Sequence, residues 1–219
     1  MTVCMLTDTN GFAHNEHQWK IGEPSATITH YYPDEYVAVF ANPIYENLEP
    51  ASMKLWEFRS DKEIDHDTLR RFCISGSVIR SIPIPSMSLY QRVEIAIKSV
   101  LLVLSKGEFS TLRQPEFERF KEWAEGKKRL VSVVDYNCMV GGGNSQRYIY
   151  DGVGKVVKAS ALCFLANESL HCASLTDWAN QMATTSKFLA VSSVASIGKD
   201  PSGGKYLNVS EITKSIMLS

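Results

Sequence analysis

Cys73 is the residue of this sequence whose neighbours most suggest chemical reactivity, because three arginines lie close to it along the chain. Arg70 and Arg71 stand just before it, and Arg80 follows on the same stretch. Cations of this kind lower the pKa of a thiol and favour the nucleophilic thiolate. A nucleophile also needs a positioned base, and His66 is the histidine that could fold back to supply it. Since free cysteines are commonly buried, packing is the favoured interpretation of Cys73.

A second group of candidate residues lies near the N-terminus. It comprises His14, Glu16 and His17, with His30 and Asp34 further along. Imidazole and carboxylate groups are ligands that suit zinc or nickel. Two histidines at this spacing share a face only on a helix, and the polar context with Gly11 does not favour one. Exposed polar residues are therefore the favoured interpretation, and no metal is predicted.

Two glycine-rich stretches raise the question of phosphate binding. They are "GGGNSQR" at 141–147 and "DGVGK" at 151–155. A phosphate cradle needs backbone N–H groups at a helix N-terminus, and neither stretch has the P-loop spacing or a GxGxxG continuation. Hairpin turns explain them better. The chain also contains no serine elbow, no HExxH motif and no paired-carboxylate signature. We therefore predict a protein that is not an enzyme and needs no cofactor.

The composition is that of an ordinary globular protein. The chain has 219 residues, 44% hydrophobic and 21% charged, with a formal net charge of -1. This charge gives no overall field that would attract nucleic acid or an anionic membrane. Its five cysteines form no CxxC pair, which argues against a zinc ribbon or a disulfide framework. Without a visible signal peptide or membrane-spanning run, the sequence predicts a reduced, intracellular protein.

The first half of the chain is expected to be strand-rich before one regular helix. Residues 36–41 ("YVAVFA") and 53–59 ("MKLWEFR") have strand-like compositions. Residues 72–78 also suit a strand, in which Gly76 indicates a bulge or a close backbone approach. After the proline corner "IPIPS", apolar residues recur every three or four positions over 89–104, which predicts a helix capped by Ser86 or Ser88.

The second half is expected to add two helices and two hairpins. A helix is predicted over 115–125, followed by a hairpin around "GGGNSQ" and a helix that opens at "LTDW". Residues 155–166 fit a strand and a helix equally well, and the tail from 188 is expected to form two strands. The predicted fold class is α+β, with a mostly antiparallel sheet and about three helices packed on it. Residues 35–219 would form the core domain, and residues 1–34 a polar, acidic arm that is flexible or orders on a partner.

The stretch "FCISGSVIRSIPIPSMSLYQRVEIAIKSV" resembles the first core unit of rhabdovirus-type matrix proteins. The later order of elements is also similar, so the resemblance extends over about residues 69–219. It implies a structural protein that self-associates and bridges a nucleocapsid to a membrane envelope during virion assembly and budding. The implied partners are further copies of the chain, the viral nucleoprotein and the inner face of the lipid envelope. No sequence-specific binding of nucleic acid is implied. The implied location is the virion and the host cytoplasm, peripheral membrane or nucleus.

The resemblance also implies candidate contact residues, although the acidic N-terminus departs from the basic arm with a PPxY motif that is usual in this family. Membrane or nucleocapsid contacts would involve the basic cluster and the apolar residues of the proline corner: Lys127, Lys128, Arg129, Ile82 and Ile84. The arm would dock onto a neighbouring subunit through its tyrosines, Tyr31, Tyr32 and Tyr36.

Two other functions stay open at this point. One is a small intracellular nucleotide-binding protein or enzyme that uses Gly141 to Asn144 and Lys155. The other is a generic α/β interaction module. A strand over 155–166 would favour the matrix-like function, whereas a helix that starts after "DGVGK" would favour phosphate binding.

Overall fold

The fold was obtained as a computed structural model, which describes residues 3–13, 17–106, 147–169 and 175–219. Its strands are β1 Val3–Asp8, β2 Thr29–Tyr31, β3 Met53–Ser60, β4 Glu63–His66, β5 Arg71–Cys73 and β6 Gly76–Ile82. Its helices are α1 Glu35–Tyr45, α2 Leu89–Lys106, α3 Arg147–Ser169, α4 Thr176–Gly198, α5 Pro201–Tyr206 and α6 Val209–Met217, with a 3-10 turn at Pro50–Ser52. These elements confirm the α+β class.

The chain forms two compact units. Unit 1 consists of Met1–Met87 together with Val209–Ser219, and unit 2 consists of Ser88–Asn208. The predicted arm, residues 1–34, contains β1, β2 and the buried Trp19, so it forms part of unit 1. Residues 1–34 are therefore not a separate arm. The prediction failed because the polar composition of this segment obscured its short apolar runs.

Two antiparallel sheets build the core of unit 1. One has the strand order β1-β3-β6 and the other the order β2-β5-β4. The buried side chains between them come from both sheets and from the segment before β2: Met5, Trp19, Tyr31, Trp56, Phe58, Cys73 and Val78. Gly76 confirms the predicted close approach, because a Cβ atom there would lie 2.7 Å from the carbonyl oxygen of Arg59 and would overlap the Phe58 ring.

Helix α1 replaces the first predicted strand. Asp34 precedes the helix, and its carboxylate accepts the N–H groups of Tyr36 at 3.0 Å and Val37 at 2.9 Å. This N-cap satisfies two of the backbone donors that a helix start leaves without intrahelical partners. Residues 37–42 are all buried. A short buried apolar run of this kind is compatible with a helix as well as with a strand. The strand prediction for residues 36–41 was wrong because the cap and the packing outweigh β-propensity.

Unit 2 is helical in its described part. The predicted helix is confirmed as α2, with the Ser88 hydroxyl accepting the N–H of Gln91 at 3.2 Å. Residues 155–166 are helical, inside α3, and residues 147–151, expected to be a strand, form its start. The helix predicted over 115–125 and most of the first hairpin lie outside the described residues.

The predicted C-terminal hairpin was wrong, because α4 continues to Gly198 and is followed by α5 and α6. Small side chains explain the continuation of α4. A Cβ atom on Gly152 of α3 would lie 3.0 Å from the carbonyl oxygen of Ser193, so the two helices approach closely. The hydroxyl of Ser186 donates to the carbonyl oxygen of Ala159 at 2.6 Å, and that of Ser193 to the carbonyl oxygen of Ala190 at 2.8 Å. Residues with modest helix propensity are thus held by packing.

Candidate functional site

The thiol of Cys73 is part of the core of unit 1. It is fully buried on β5, and burial raises its pKa, opposite to what a nucleophile needs. The neighbouring arginines are held by carboxylates. Arg71 donates to Glu63 at 3.0 Å, and Arg80 to Glu57 at 2.6 Å. Packing therefore describes Cys73, as the sequence favoured.

Among the described residues, the histidines of the N-terminal segment form no metal site. His14 and Glu16 lie outside the described residues, and the His17 ring packs edge-on against Trp19 with a centroid distance of 4.9 Å. The described part of the chain contains no group of three or more potential ligands close enough to hold a metal ion. Asp34, the acidic residue of the predicted group, caps α1 instead.

Lys155 is engaged within unit 2. Its ammonium lies 2.6 Å from the carboxylate of Asp151, and it donates to the hydroxyl of Ser196 at 2.9 Å. The stretch "DGVGK" lies inside α3, which begins at Arg147, so its backbone N–H groups do not form a helix N-terminus. The first glycine-rich stretch, Gly141 to Asn144, lies outside the described residues. The geometry at Lys155 indicates a link between two helices rather than a phosphate cradle.

Two of the contact residues that the matrix resemblance implied lie in the described part of the chain. Ile82 is half-buried at the end of β6, opposite Leu55, and Ile84 is 36% exposed in the proline corner. Lys127, Lys128 and Arg129 lie outside the described residues.

The tyrosines assigned to docking have a different environment from the one expected. Tyr31 and Tyr32 are 3% and 0% exposed, and Tyr36 is half-buried at the start of α1. Tyr31 packs in the core of unit 1, where its hydroxyl donates to Glu63 at 2.9 Å. Two of the three predicted docking side chains therefore face the interior of their own chain, which corrects their assignment to an intersubunit contact.

A buried polar cluster, which sequence reasoning missed, joins β2 to the end of α1. The Nε2 atom of His30 lies 2.5 Å from the carboxylate of Glu46, and the two side chains are 11% and 4% exposed. The hydroxyl of Tyr32 donates to the same carboxylate at 3.2 Å. Burial and the charge of Glu46 raise the pKa of Tyr32 well above its usual value, so this hydroxyl stays a donor. We call these three residues the His30 cluster.

An arginine covers one side of the His30 cluster. The Arg70 guanidinium lies 3.6 Å from the centre of the Tyr45 ring and 5.0 Å from that of Phe72, which are cation–π distances. Its Nη2 and Nε atoms donate to Asp67 at 2.7 Å and 2.9 Å. Burial, together with Asp67, raises the pKa of Tyr45 to about 12, although Arg70 opposes that shift. The sequence signal for this site is weak, because its residues come from three separate segments, 30–32, 45–46 and 67–72.

A shallow depression of about 760 Å³ lies on unit 1. It is lined by Val3, Tyr31, Glu57, Phe58, Arg59, Ser60, Glu63 and Ile79. Its two carboxylates already receive hydrogen bonds from arginines, Glu57 from Arg80 and Glu63 from Arg71. The two carboxylates on its wall thus serve the fold of unit 1 and indicate no particular ligand.

The first half of α4 carries large apolar side chains on its solvent side. Trp178 and Phe188 are 64% and 50% exposed, and the exposed Gln181 and Thr185 lie between them. Spacings of three, four and three residues place these four side chains on one face of the helix. Just before the helix, Leu175 is also exposed. We call the four helical residues the α4 aromatic face.

None of the helices in the described ranges has the length and apolar character needed to cross a bilayer. The chain matches no protein-family model, and no curated protein or solved structure matches it either.

Proposed function

We propose that this chain is a non-enzymatic structural protein that acts by self-association. The observation that carries the proposal is the α4 aromatic face. Exposed tryptophan and phenylalanine side chains provide large apolar areas, and such residues are enriched where proteins contact one another. Trp178 is nearly two-thirds exposed, so its indole supplies little to the core of unit 2. A second copy of the chain would remove this surface from water.

The polar groups of the described residues support a structural role. The carboxylate of Glu46 is shared between His30 and Tyr32, and Lys155 is shared between Asp151 and Ser196. In both places the partners are supplied by the chain itself and connect separate elements. Groups arranged in this way stabilise a fold, and they are not aimed at a common point where a substrate could react.

The resemblance to rhabdovirus-type matrix proteins suggests a narrower form of this function. In that form the assembled protein would bridge a viral nucleoprotein to the inner face of a lipid envelope during budding. The order β5, β6, proline corner and α2 supports it, since it reproduces the unit on which the resemblance rests. Helix α3 does not support it, because the matrix-like pattern expects a strand over 155–166. We therefore keep self-association as the main proposal and the envelope-bridging role as its more specific version.

Sedimentation velocity on the purified chain, from micromolar to millimolar concentration, tests self-association. We expect concentration-dependent oligomers that weaken in the variant Trp178→Ser by about 2 kcal/mol, or roughly 30-fold in association constant, as for an interface hot spot. Tyr90→Ser is the matched control, because Tyr90 is also an exposed aromatic residue of unit 2, at 56%. A chain that stays monomeric over this range would refute the proposal.

Flotation with vesicles that contain phosphatidylserine tests the narrower form. Each basic residue near an anionic leaflet contributes about 1 kcal/mol, so three basic residues bind weakly unless copies assemble. Replacement of Lys127, Lys128 and Arg129 by serine should then abolish flotation at low salt and leave the sedimentation profile unchanged. Flotation that is equal in both proteins would exclude the basic cluster as the membrane contact.

A further inference from the structure

Helix α6 follows unit 2 along the chain, yet it belongs to unit 1. Unit 1 is built from Met1–Met87 and is completed only when the chain leaves unit 2 and supplies Val209–Ser219. The connector between α5 and α6 consists of Leu207 and Asn208. A short helix that follows a short connector and docks on a different unit is the kind of segment that identical copies of a protein exchange.

The stability of α6 depends on its docking. The helix has nine residues, and helices of this length are marginal in water on their own. Its inward side consists of Val209, Thr213 and Ile216, which are 3%, 0% and 3% exposed. Removing α6 from unit 1 would expose these side chains and the surface that they cover. An empty docking site would therefore favour any helix of the same sequence.

A buried carboxylate makes this docking site specific. Asp34 is 2% exposed, and it accepts a hydrogen bond from the hydroxyl of Ser210 and lies 3.3 Å from the ammonium of Lys214. The same carboxylate caps α1 through the N–H groups of Tyr36 and Val37. Without α6 the carboxylate would lose a hydroxyl and a cation, which is costly for a buried charge. Only a helix with a hydroxyl and an ammonium one turn apart restores both contacts.

We propose that α6 is exchanged between copies of this chain, so that α6 of one copy docks against α1 and Asp34 of another. The second copy fits this site because it carries the identical helix with the identical donors. The inference rests on the proposed function, since it names one contact through which the copies associate. Reciprocal exchange closes a dimer, whereas one-way exchange extends an open chain, and the α4 aromatic face would then join such units further.

The balance between closed and exchanged forms depends on concentration. A short connector gives α6 an effective concentration in the millimolar range at the docking site of its own chain. Closed monomers are therefore favoured at micromolar concentration, and exchange becomes competitive at roughly millimolar concentration. A dense assembly would reach that range. Shortening the connector should shift the balance further, because it hinders closure but leaves the docking contacts intact.

Disulfide trapping in the full chain shows which copy supplies α6. The double variant Asp34→Cys/Ser210→Cys is prepared with Cys138 and Cys172 replaced by serine. The cysteines that remain are buried: Cys4, Cys73 and Cys163. After equilibration and mild oxidation at about 5 µM and about 1 mM, we expect the covalent dimer fraction to rise at least tenfold. Its tryptic peptides should contain position 34 of one copy linked to position 210 of another. The single variant Ser210→Cys is the control for random collision.

Connector variants test the exchange without altering Asp34. Deletion of Leu207 should raise the oligomer fraction in sedimentation velocity, and insertion of Gly-Ser-Gly-Ser after Leu207 should lower it, each by several-fold. Oligomers in which the 34–210 disulfide forms only within one chain would overturn the exchange and leave self-association standing. Monomers at every concentration and with every connector would overturn both.

Discussion

The His30 cluster leads to the most demanding prediction about stability. We expect Glu46→Gln to lower the free energy of unfolding of unit 1 by about 2 kcal/mol at pH 7, because Glu46 accepts the hydrogen bonds of His30 and Tyr32. A hydrogen bond to a charged group such as a carboxylate typically contributes about 1.5–3 kcal/mol to stability, and a buried donor left without its acceptor loses that contribution away from water. The side chains of His30 and Glu46 are 11% and 4% exposed, so solvent compensates little. Since the glutamine can still accept from Tyr32, we expect the lower end of that range.

The assay is urea denaturation followed by the fluorescence of Trp19 and Trp56, which both lie in the core of unit 1. Phenylalanine in place of Trp123 and Trp178 removes the other tryptophan signals. Glu23→Gln is the matched control, because Glu23 is an exposed carboxylate of the same unit and should change stability by less than about 0.5 kcal/mol.

A double-mutant cycle with His30→Gln then isolates the pair. We expect a coupling energy of at least about 1.5 kcal/mol, since residues in one hydrogen-bonded network are not additive. If Glu46→Gln costs less than about 1 kcal/mol, or if the two substitutions are additive, the pair does not hold β2 against α1 and our account of this cluster is incorrect.

Three further predictions concern unit 1 and its cysteines. Gly76→Ala should destabilise the protein by about 1–3 kcal/mol in urea denaturation, since its Cβ would overlap the Phe58 ring, and Ser77→Ala should cost clearly less. Cys4, Cys73 and Cys163 should react with a thiol reagent at least about 100-fold more slowly in the native protein than in urea, because they are buried and burial raises their pKa. The labelling rate is measured in a Cys138→Ser/Cys172→Ser variant, and rapid labelling of its native form would contradict this. Burial tends to raise the pKa of Glu63, but hydrogen bonds from Arg71 and Tyr31 prevail and lower it. The carboxylate therefore stabilises the fold at neutral pH and loses that effect as the pH falls through its folded pKa. The difference in unfolding free energy between wild type and Glu63→Gln should consequently shrink towards pH 3.

Local signals in the sequence were sufficient where an element depends on its own residues. Helix α2 follows from apolar periodicity and the Ser88 cap, and the role of Gly76 follows from a glycine inside a strand pattern. Sequence reasoning failed where tertiary packing decides. The run at 36–41 has β-propensity, but it forms a helix that Asp34 caps. Because the run is buried, its apolar side chains are compatible with either a helix or a strand. The tail from residue 188 was predicted to form two strands, whereas α4 continues there and its Ser186 and Ser193 bond to helix carbonyl groups.

The error at residues 36–41 also concealed the polar sites. If residues 36–41 formed a strand, Asp34 would have no helix to cap. Nothing in the sequence would then predict that Glu46 lies beside His30, which is sixteen residues earlier. Both carboxylates then appear to be exposed charges of an acidic segment. A helix between them turns both inward and gives each a partner. The site was therefore unpredictable from spacing alone, because its geometry depends on α1, whose type was misjudged from β-propensity.

Acidic side chains among the first sixty residues form ion pairs within their own chain. The matrix resemblance implied that the acidic N-terminal arm would dock onto a neighbouring subunit. In the structure Glu57 pairs with Arg80, and Asp34 with Lys214, inside unit 1. The complementarity is thus intramolecular: one pair joins β3 to β6, and the other joins the start of α1 to α6. Exchange of α6 would convert the Asp34–Lys214 pair into a contact between copies without changing a single interaction. Salt should consequently affect the exchanged dimer and the closed monomer alike, because a pair with one partner 2% exposed is screened equally little in both. An exchange equilibrium that shifts steeply with salt would instead point to exposed charges, and so to a contact other than α6.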